Sequence, residues 1–162
     1  MAQMTWLPEP VQGLLRSALV AELTVTRADG RLVTYPLIPL FEGDRIYMTS
    51  SVLFSKKLEH IRGDARVSVS LSDPIGMGGA TARALIQGDA RVIDDDVHEG
   101  WLNVMPMWRK KEPVIDWFLT QRVALPLFFE RAVIEITPKR ALYWADGRTS
   151  IAPETFAAPE AA

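Results

Sequence analysis

The segment from residue 65 to residue 73 alternates apolar and polar side chains as far as Ser72. Val67, Val69 and Leu71 fall on one face, and the other face carries Arg66 and serines only. A period of two is typical of a β-strand that packs one face on a core and leaves the other in water. The segment therefore predicts an antiparallel sheet, for which the rest of the chain must supply the neighbouring strands.

Similar runs of β-branched and aromatic residues, separated by turn residues, predict further strands on both sides of this segment. These strands are Ala21–Thr26, Arg31–Phe41, Arg45–Thr49, Ala82–Ile93 and a closing hairpin of Ala132–Thr137 and Arg140–Trp144 around Pro138. Gly88 is expected to mark a bulge or a bend in the long strand Ala82–Ile93. About six strands with bare edges would invite aggregation, so we expect the sheet to curl into a closed or split barrel.

Short helices are expected to flank the sheet. Pro10–Leu19 and Ser55–Ile61 each carry an apolar face at helical spacing. Residues 97–128 are rich in Trp, Met, Leu and Phe, and we expect two helices there, broken near Pro106 or Pro113. This cluster is interpreted as core or dimer contact, with a lid over a bound cofactor as the alternative.

The predicted fold class is mainly β (α+β), a six-stranded antiparallel barrel with short flanking helices and a helical insertion before the final hairpin. A length of 162 residues fits one domain, which we place at 1–148. Residues 149–162 are dominated by Ala, Pro and Glu and are expected to form a flexible C-terminal tail.

The composition argues against several classes of function. The formal net charge of -2 at pH 7 provides no overall basic field for a nucleic acid or an anionic membrane, so we expect neither as a partner. No apolar run approaches the ~20 residues that span a bilayer. The chain has no cysteine, which fits a cytoplasmic protein. With only His60 and His98, we expect no metal site and assign no catalytic side chain.

Residues 49–57 carry the strongest chemical signal, because hydroxyls, open backbone amides and two lysines meet where a strand ends and a helix begins. The first turn of a helix favours negative charge, so Lys56 and Lys57 are misplaced there unless an anion lies between them. A bound phosphate would resolve that conflict. The alternative is that Ser55 only caps the helix and both lysines point into water.

Several segments in order resemble the pyridoxamine 5'-phosphate oxidase-like and flavin/deazaflavin oxidoreductase proteins. The segments that carry this resemblance are 32–39, 42–44, 46–49, 55–57, 65–71, 84–89 and 132–144. The resemblance implies a split β-barrel homodimer, with FMN or the deazaflavin F420 bound at the subunit interface.

The resemblance also implies roles for particular residues. Those along the flat ring system of the cofactor would be Tyr35, Pro36, Leu37 and Ile38. Thr49 and Ser50 would contact the ribityl or phosphate region, and Gln87 would approach from a neighbouring strand. The phosphate would be bound by Ser55, Lys56 and Lys57.

The function implied by the resemblance is an FMN-dependent oxidoreductase that acts on a small planar substrate. Two alternatives remain: an F420-dependent reductase on the same fold, and a protein that sequesters flavin or haem without turnover. The run Arg109-Lys110-Lys111 is interpreted as a solvated group of charges, with binding of a second anionic group as the alternative.

Overall fold

The computed structural model describes residues 5–76, 79–121 and 126–159. Eight strands form one antiparallel sheet, with the order β2-β1-β5-β6-β7-β4-β3 and with β8 paired to β7. The strands are β1 (Ala21–Thr26), β2 (Leu32–Leu37), β3 (Leu40–Glu42), β4 (Arg45–Ser51), β5 (Arg66–Leu71), β6 (Arg83–Ile93), β7 (Arg131–Trp144) and β8 (Glu154–Ala157).

The two strands at the ends of the main sheet order, β2 and β3, are neighbours in sequence. Only Ile38 and Pro39 lie between them, so the two edges cannot move apart. Because a short connection joins opposite edges, the sheet has to curl, and the result is a split β-barrel with its opening between β2 and β3. This architecture confirms the predicted mainly β fold.

The alternating segment forms β5, between β1 and β6. Its apolar residues Val67, Val69 and Leu71 are buried, together with Leu23 and Val25 of β1. Side chains of one parity therefore fill the barrel, and those of the other parity face outward. This is the arrangement predicted from the period of two.

Two helices pack against the barrel. They are α1 (Glu9–Ser17) and α2 (Lys56–Gly63). Pro10 lies in the first turn of α1, where its missing N–H costs no hydrogen bond. Leu15 of α1 and Ile61 of α2 are buried in the main core, so both predicted apolar faces are confirmed.

The insertion before β7 forms a second core. It contains a 3₁₀ turn (Gly100–Val104) and the helices α3 (Met105–Lys111), α4 (Ile115–Thr120) and α5 (Pro126–Phe129). The sequence predicted two helices; there are more because each proline is confined to a helix start or to a connection. Pro106 lies in the first turn of α3, and Pro113 lies between α3 and α4.

The closing hairpin predicted around Pro138 is wrong. β7 runs without interruption from Arg131 to Trp144. Gln87 pairs with Arg140 and Gly88 pairs with Pro138, so β7 carries one extra residue, Lys139, and this irregularity accommodates a proline that cannot donate to the ladder. The irregularity predicted at Gly88 is thereby confirmed, with the extra residue on β7, and it explains why β7 does not turn at Pro138.

The predicted number of six strands is also corrected, to eight. The segment expected as one strand over Arg31–Phe41 is divided at Ile38 and Pro39 into β2 and β3. At the C-terminus, residues 154–157 of the expected tail form β8, which pairs with Arg140–Tyr143. Phe156 packs against the main core, which accounts for the strand.

None of the helices in the described ranges is long and apolar enough to cross a membrane.

Gly88 tests the bulge. A Cβ at this position would overlap the carbonyl oxygen of Thr137 and lie 2.9 Å from its carbonyl carbon. Because both obstacles are backbone atoms, we expect Gly88→Ala to lower the free energy of unfolding by about 2–3 kcal/mol. Gly13→Ala, where no atom lies within 4 Å of the new Cβ, is the control and should stabilise α1 by about 0.5–1 kcal/mol. Denaturant unfolding of both variants measures this difference, and a neutral Gly88→Ala would contradict the register of β6 and β7.

Candidate functional site

A cluster of two hydroxyls and one ammonium group forms where β4 passes into α2. The Ser50 and Ser55 hydroxyl oxygens lie 2.8 Å apart, and the Lys57 ammonium donates to both, at 3.1 and 3.3 Å. The same ammonium lies 5.1 Å from the centroid of the Tyr35 ring. We call Ser50, Ser55 and Lys57 the lysine cluster. It brings together four of the residues predicted for the cofactor site, Tyr35 included.

The connector between β4 and α2 makes this cluster possible. Phe54 has φ 58°, which returns the chain sharply so that Ser55 faces Ser50. A bulky residue in this left-handed region is strained by about 1–3 kcal/mol. Ser55 precedes α2 but its side chain makes no capping hydrogen bond to the helix. Its hydroxyl belongs to the lysine cluster instead, so the simple capping role considered for Ser55 is wrong.

The two predicted phosphate lysines occupy different environments. Lys57 is about half-buried in the cluster, whereas Lys56 is exposed and forms an ion pair with Glu59 at 3.0 Å. An exposed pair three residues apart is typical of a solvated helix face. The structure therefore brings Lys57, but not Lys56, into contact with the other predicted residues.

Arg131, at the start of β7, is a buried cation that the sequence reasoning did not identify. Arg131 is only 9% exposed, and its Nε and Nη2 donate to the Thr49 hydroxyl at 3.1 and 2.9 Å. Nη1 donates to the carbonyl of Phe128 at 3.0 Å. The only available signal was a charged residue immediately before the apolar run of β7.

The electrostatics of Lys57 and Arg131 favour an anion. Burial, followed by the charge of Arg131, lowers the pKa of Lys57, and burial lowers the pKa of Arg131 to about 10. Within residues 5–76, 79–121 and 126–159, neither cation forms an ion pair with a carboxylate. Two desolvated cations that repel each other are costly, and an anion between or beside them would relieve the cost.

Next to Thr49, a groove of about 360 Å³ opens at the split of the barrel. We call it the apolar groove, and its lining residues are Pro36, Leu37, Ile38, Thr49, Trp108, Glu112, Val114, Ile115, Phe118, Phe128 and Arg131. Strand β2 and Thr49 form one wall, and the helical insertion forms the other. The insertion thus lines the groove in addition to making its own core, which supports the lid alternative proposed for this region.

The insertion is fastened to the barrel by Lys111. Its ammonium donates to the carbonyls of Leu15 in α1 and of Pro39 in the connection between β2 and β3. Burial lowers the pKa of Lys111 to about 8. The interpretation of residues 109–111 as solvated charges is therefore wrong for Lys111, although Arg109 does form an exposed ion pair with Asp116.

Gln87 does not lie with the other predicted residues. It is exposed on the outer face of β6 and lines a different groove, together with Ser68, Lys139 and Arg140. Its assignment to a cofactor site remains a prediction from the resemblance.

In the part of the chain that the structure describes, no group of three or more His, Asp or Glu side chains could hold a metal ion.

The sequence matches no protein-family model and no curated protein. Several solved structures share the fold. One is an F420 reductase that is 17% identical in sequence; the alignment covers 83% of this chain and 98% of that chain, with a TM-score of 0.60. General stress protein 26 from Bacillus anthracis has 18% identity, coverage of 93% and 97%, and a TM-score of 0.59. A pyridoxamine 5'-phosphate oxidase-related, FMN binding protein from Nostoc punctiforme has 15% identity, coverage of 88% and 86%, and a TM-score of 0.60.

At these identities the likeness establishes the fold. It confirms the split β-barrel that the sequence resemblance implied.

Proposed function

We propose that this chain binds a phosphorylated flavin or deazaflavin, FMN or F420, and acts as an oxidoreductase on a small planar substrate. One observation carries the proposal: Lys57 is a half-buried cation without a carboxylate partner in the described ranges, and the apolar groove opens beside Thr49, the residue next to Ser50 of its cluster. A phosphate joined to a flat ring system is complementary to both features. The shared fold with an F420 reductase and an FMN binding protein supports the same class of ligand.

The lysine cluster fits the phosphate. The Lys57 ammonium would pair with a phosphate oxygen, and the Ser50 and Ser55 hydroxyls, 2.8 Å apart, could each donate to one. These hydroxyls bond to each other and to Lys57, so a phosphate would replace contacts among neutral and cationic groups only. No carboxylate has to be displaced.

The apolar groove fits the ring system. Pro36, Leu37 and Ile38 present backbone and aliphatic surface on one side, and Phe118 and Phe128 present aromatic rings on the other. The first wall would hold a flat ring in place, and the aromatic wall opposite would exclude water from the space above the ring. When bound, the cofactor supplies the transfer of hydride or electrons, while the protein orients it and shapes the substrate's approach.

Cofactor identity and turnover separate three versions of the proposal. Mass analysis of the compound extracted from purified protein distinguishes FMN from F420. Reduction of the bound cofactor, followed by its reoxidation by added substrate, distinguishes an oxidoreductase from a protein that only sequesters the cofactor.

The proposal includes a homodimer with the cofactor near the subunit interface, as the resemblance implies. Leu53 and Phe54 support it, because they are exposed large apolar residues next to the lysine cluster, and Phe54 is 96% exposed in the single chain. An apolar side chain of this size is normally covered by a partner or ligand when it lies in a patch. A second subunit over this connector would also close the phosphate end of the site.

The lysine pair provides a matched test of the phosphate assignment. We expect Lys57→Met to weaken the affinity for FMN and for F420 by about tenfold or more, because a charge-assisted contact to the phosphate is lost. Lys56→Met removes the same charge one residue away, from a side chain already paired with Glu59, and should change the affinity by less than about threefold. Titration of both variants followed by absorbance or fluorescence measures the two effects. Equal losses in the two variants, or no loss with Lys57→Met, would refute the assignment.

Phe54 provides the test of the dimer. Sedimentation velocity should give a species of twice the chain mass of 18.1 kDa, and Phe54→Ser should weaken the association because it removes a ring that the partner covers. Trp117→Ser, which removes another exposed aromatic from the insertion, is the control and should leave the association unchanged. A wild-type chain that sediments as a monomer at micromolar concentration would rule the assembly out.

A further inference from the structure

The guanidinium of Arg131 has bonding capacity that the protein does not use. A guanidinium has five N–H donors, and those of Arg131 make three hydrogen bonds, all to neutral oxygens of Thr49 and Phe128. One N–H on each terminal nitrogen therefore has no acceptor among the described protein atoms. N–H groups on the terminal nitrogens of a guanidinium are donors that pair with a carboxylate.

The surroundings of Arg131 are aromatic. Its Cζ atom lies 4.5 Å from the centroid of the Phe128 ring and 5.4 Å from that of Trp108. Stacking on these rings fixes the plane of the guanidinium and compensates part of its charge. The buried indole N–H of Trp108 also lacks an acceptor in the described part of the chain. The groove therefore offers donors and aromatic surface, with few acceptors.

One carboxylate does line the apolar groove. Glu112, at the end of α3, is among its lining residues but forms no ion pair with Arg131. The positive charge of Arg131 is thus not neutralised within the groove. A neutral apolar ligand would leave it so, whereas a ligand with one carboxylate would pair with it and fill the aromatic space.

We infer that the apolar groove binds an aromatic or similarly planar carboxylic acid, with Arg131 as its counter-ion. This inference rests on the proposed function for its biological role, because it identifies the acid as the substrate that lies beside the cofactor ring. Two cationic sites would then bind two different anions: the lysine cluster binds the phosphate of the cofactor, and Arg131 binds the carboxylate of the substrate.

Calorimetric titration with two probes of the same shape tests the inference. The probes are 2-naphthoate, which carries the carboxylate, and 2-naphthamide, which does not. The wild-type chain should bind 2-naphthoate about tenfold or more tightly than 2-naphthamide, the ratio expected for one charge-assisted bidentate contact. Arg131→Met should remove this preference and leave 2-naphthamide binding unchanged within about twofold. Arg109→Met, which removes an exposed cation of the same insertion, should keep the preference.

A second pair of variants covers the case in which Arg131→Met does not fold. Val114 lines the groove and is 48% exposed, so polar substitutions there are tolerated by the core. Val114→Glu should weaken 2-naphthoate binding by repulsion, and Val114→Gln, of the same size but neutral, should not. The inference is overturned if the wild type binds both probes equally, or if the two Val114 variants bind 2-naphthoate equally well.

FMN titration of the Arg131 variant separates the two proposals. If Arg131→Met weakens FMN binding and leaves 2-naphthoate binding intact, Arg131 belongs to the cofactor site and the inference is wrong. If the wild type binds neither FMN nor F420 yet prefers 2-naphthoate, the proposed function fails while the carboxylate site stands.

Discussion

The connection of opposite sheet edges by Ile38 and Pro39 is the constraint on which the rest of the structure depends. β2 and β3 end the main sheet order, yet only these two residues separate them. A sheet held in this way has to curl, and it leaves an opening at the point where the two edges meet without pairing. The apolar groove lies at this opening, and Lys111 fastens the helical insertion across it by donating to Pro39. The site is thus a direct consequence of the chain's path.

The second determinant of the site is electrostatic. Thr49 and Ser50, near the end of β4, each lie against a different cation: Arg131 on one side and Lys57 on the other. Both cations are partly or largely removed from water, and the charge of Arg131 lowers the pKa of Lys57. Folded proteins seldom retain such an arrangement for stability alone, because the desolvation penalty exceeds what neutral partners return. Binding of anions would explain why the two cations are retained.

Much of the fold could be predicted from the sequence, because the barrel strands have a clear period of two and the turns carry glycine and aspartate. The errors have a common origin in pairing between distant segments. Pro138 looked like a turn because the sequence does not show that β7 bulges at Lys139 where it pairs with β6. β8 looked like a tail because its strand character depends on Phe156 packing against the core. Neither interaction is local.

The candidate site, too, was predictable where its contacts are local and not where they join distant segments. Ser50, Ser55 and Lys57 could be predicted because they lie within eight residues of one another, where a helix start concentrates their chemistry. The sequence could not separate Lys57 from Lys56, since that depends on which one turns toward Ser50 and which toward Glu59. Arg131 was missed because its partner Thr49 lies 82 residues away along the chain.

Lys57 is the proposed phosphate-binding cation, so its own titration is the decisive measurement. Burial and the charge of Arg131 lower the pKa of Lys57 in the protein by itself. A bound phosphate dianion favours the charged ammonium, so the pKa must rise on binding. NMR titration of the Lys57 side-chain ¹³Cε resonance, with and without saturating FMN and with Lys56 as the internal reference, measures this change. We expect an upward shift of the pKa for Lys57 with little change for Lys56, and an unchanged pKa for Lys57 in the FMN complex would refute the phosphate assignment.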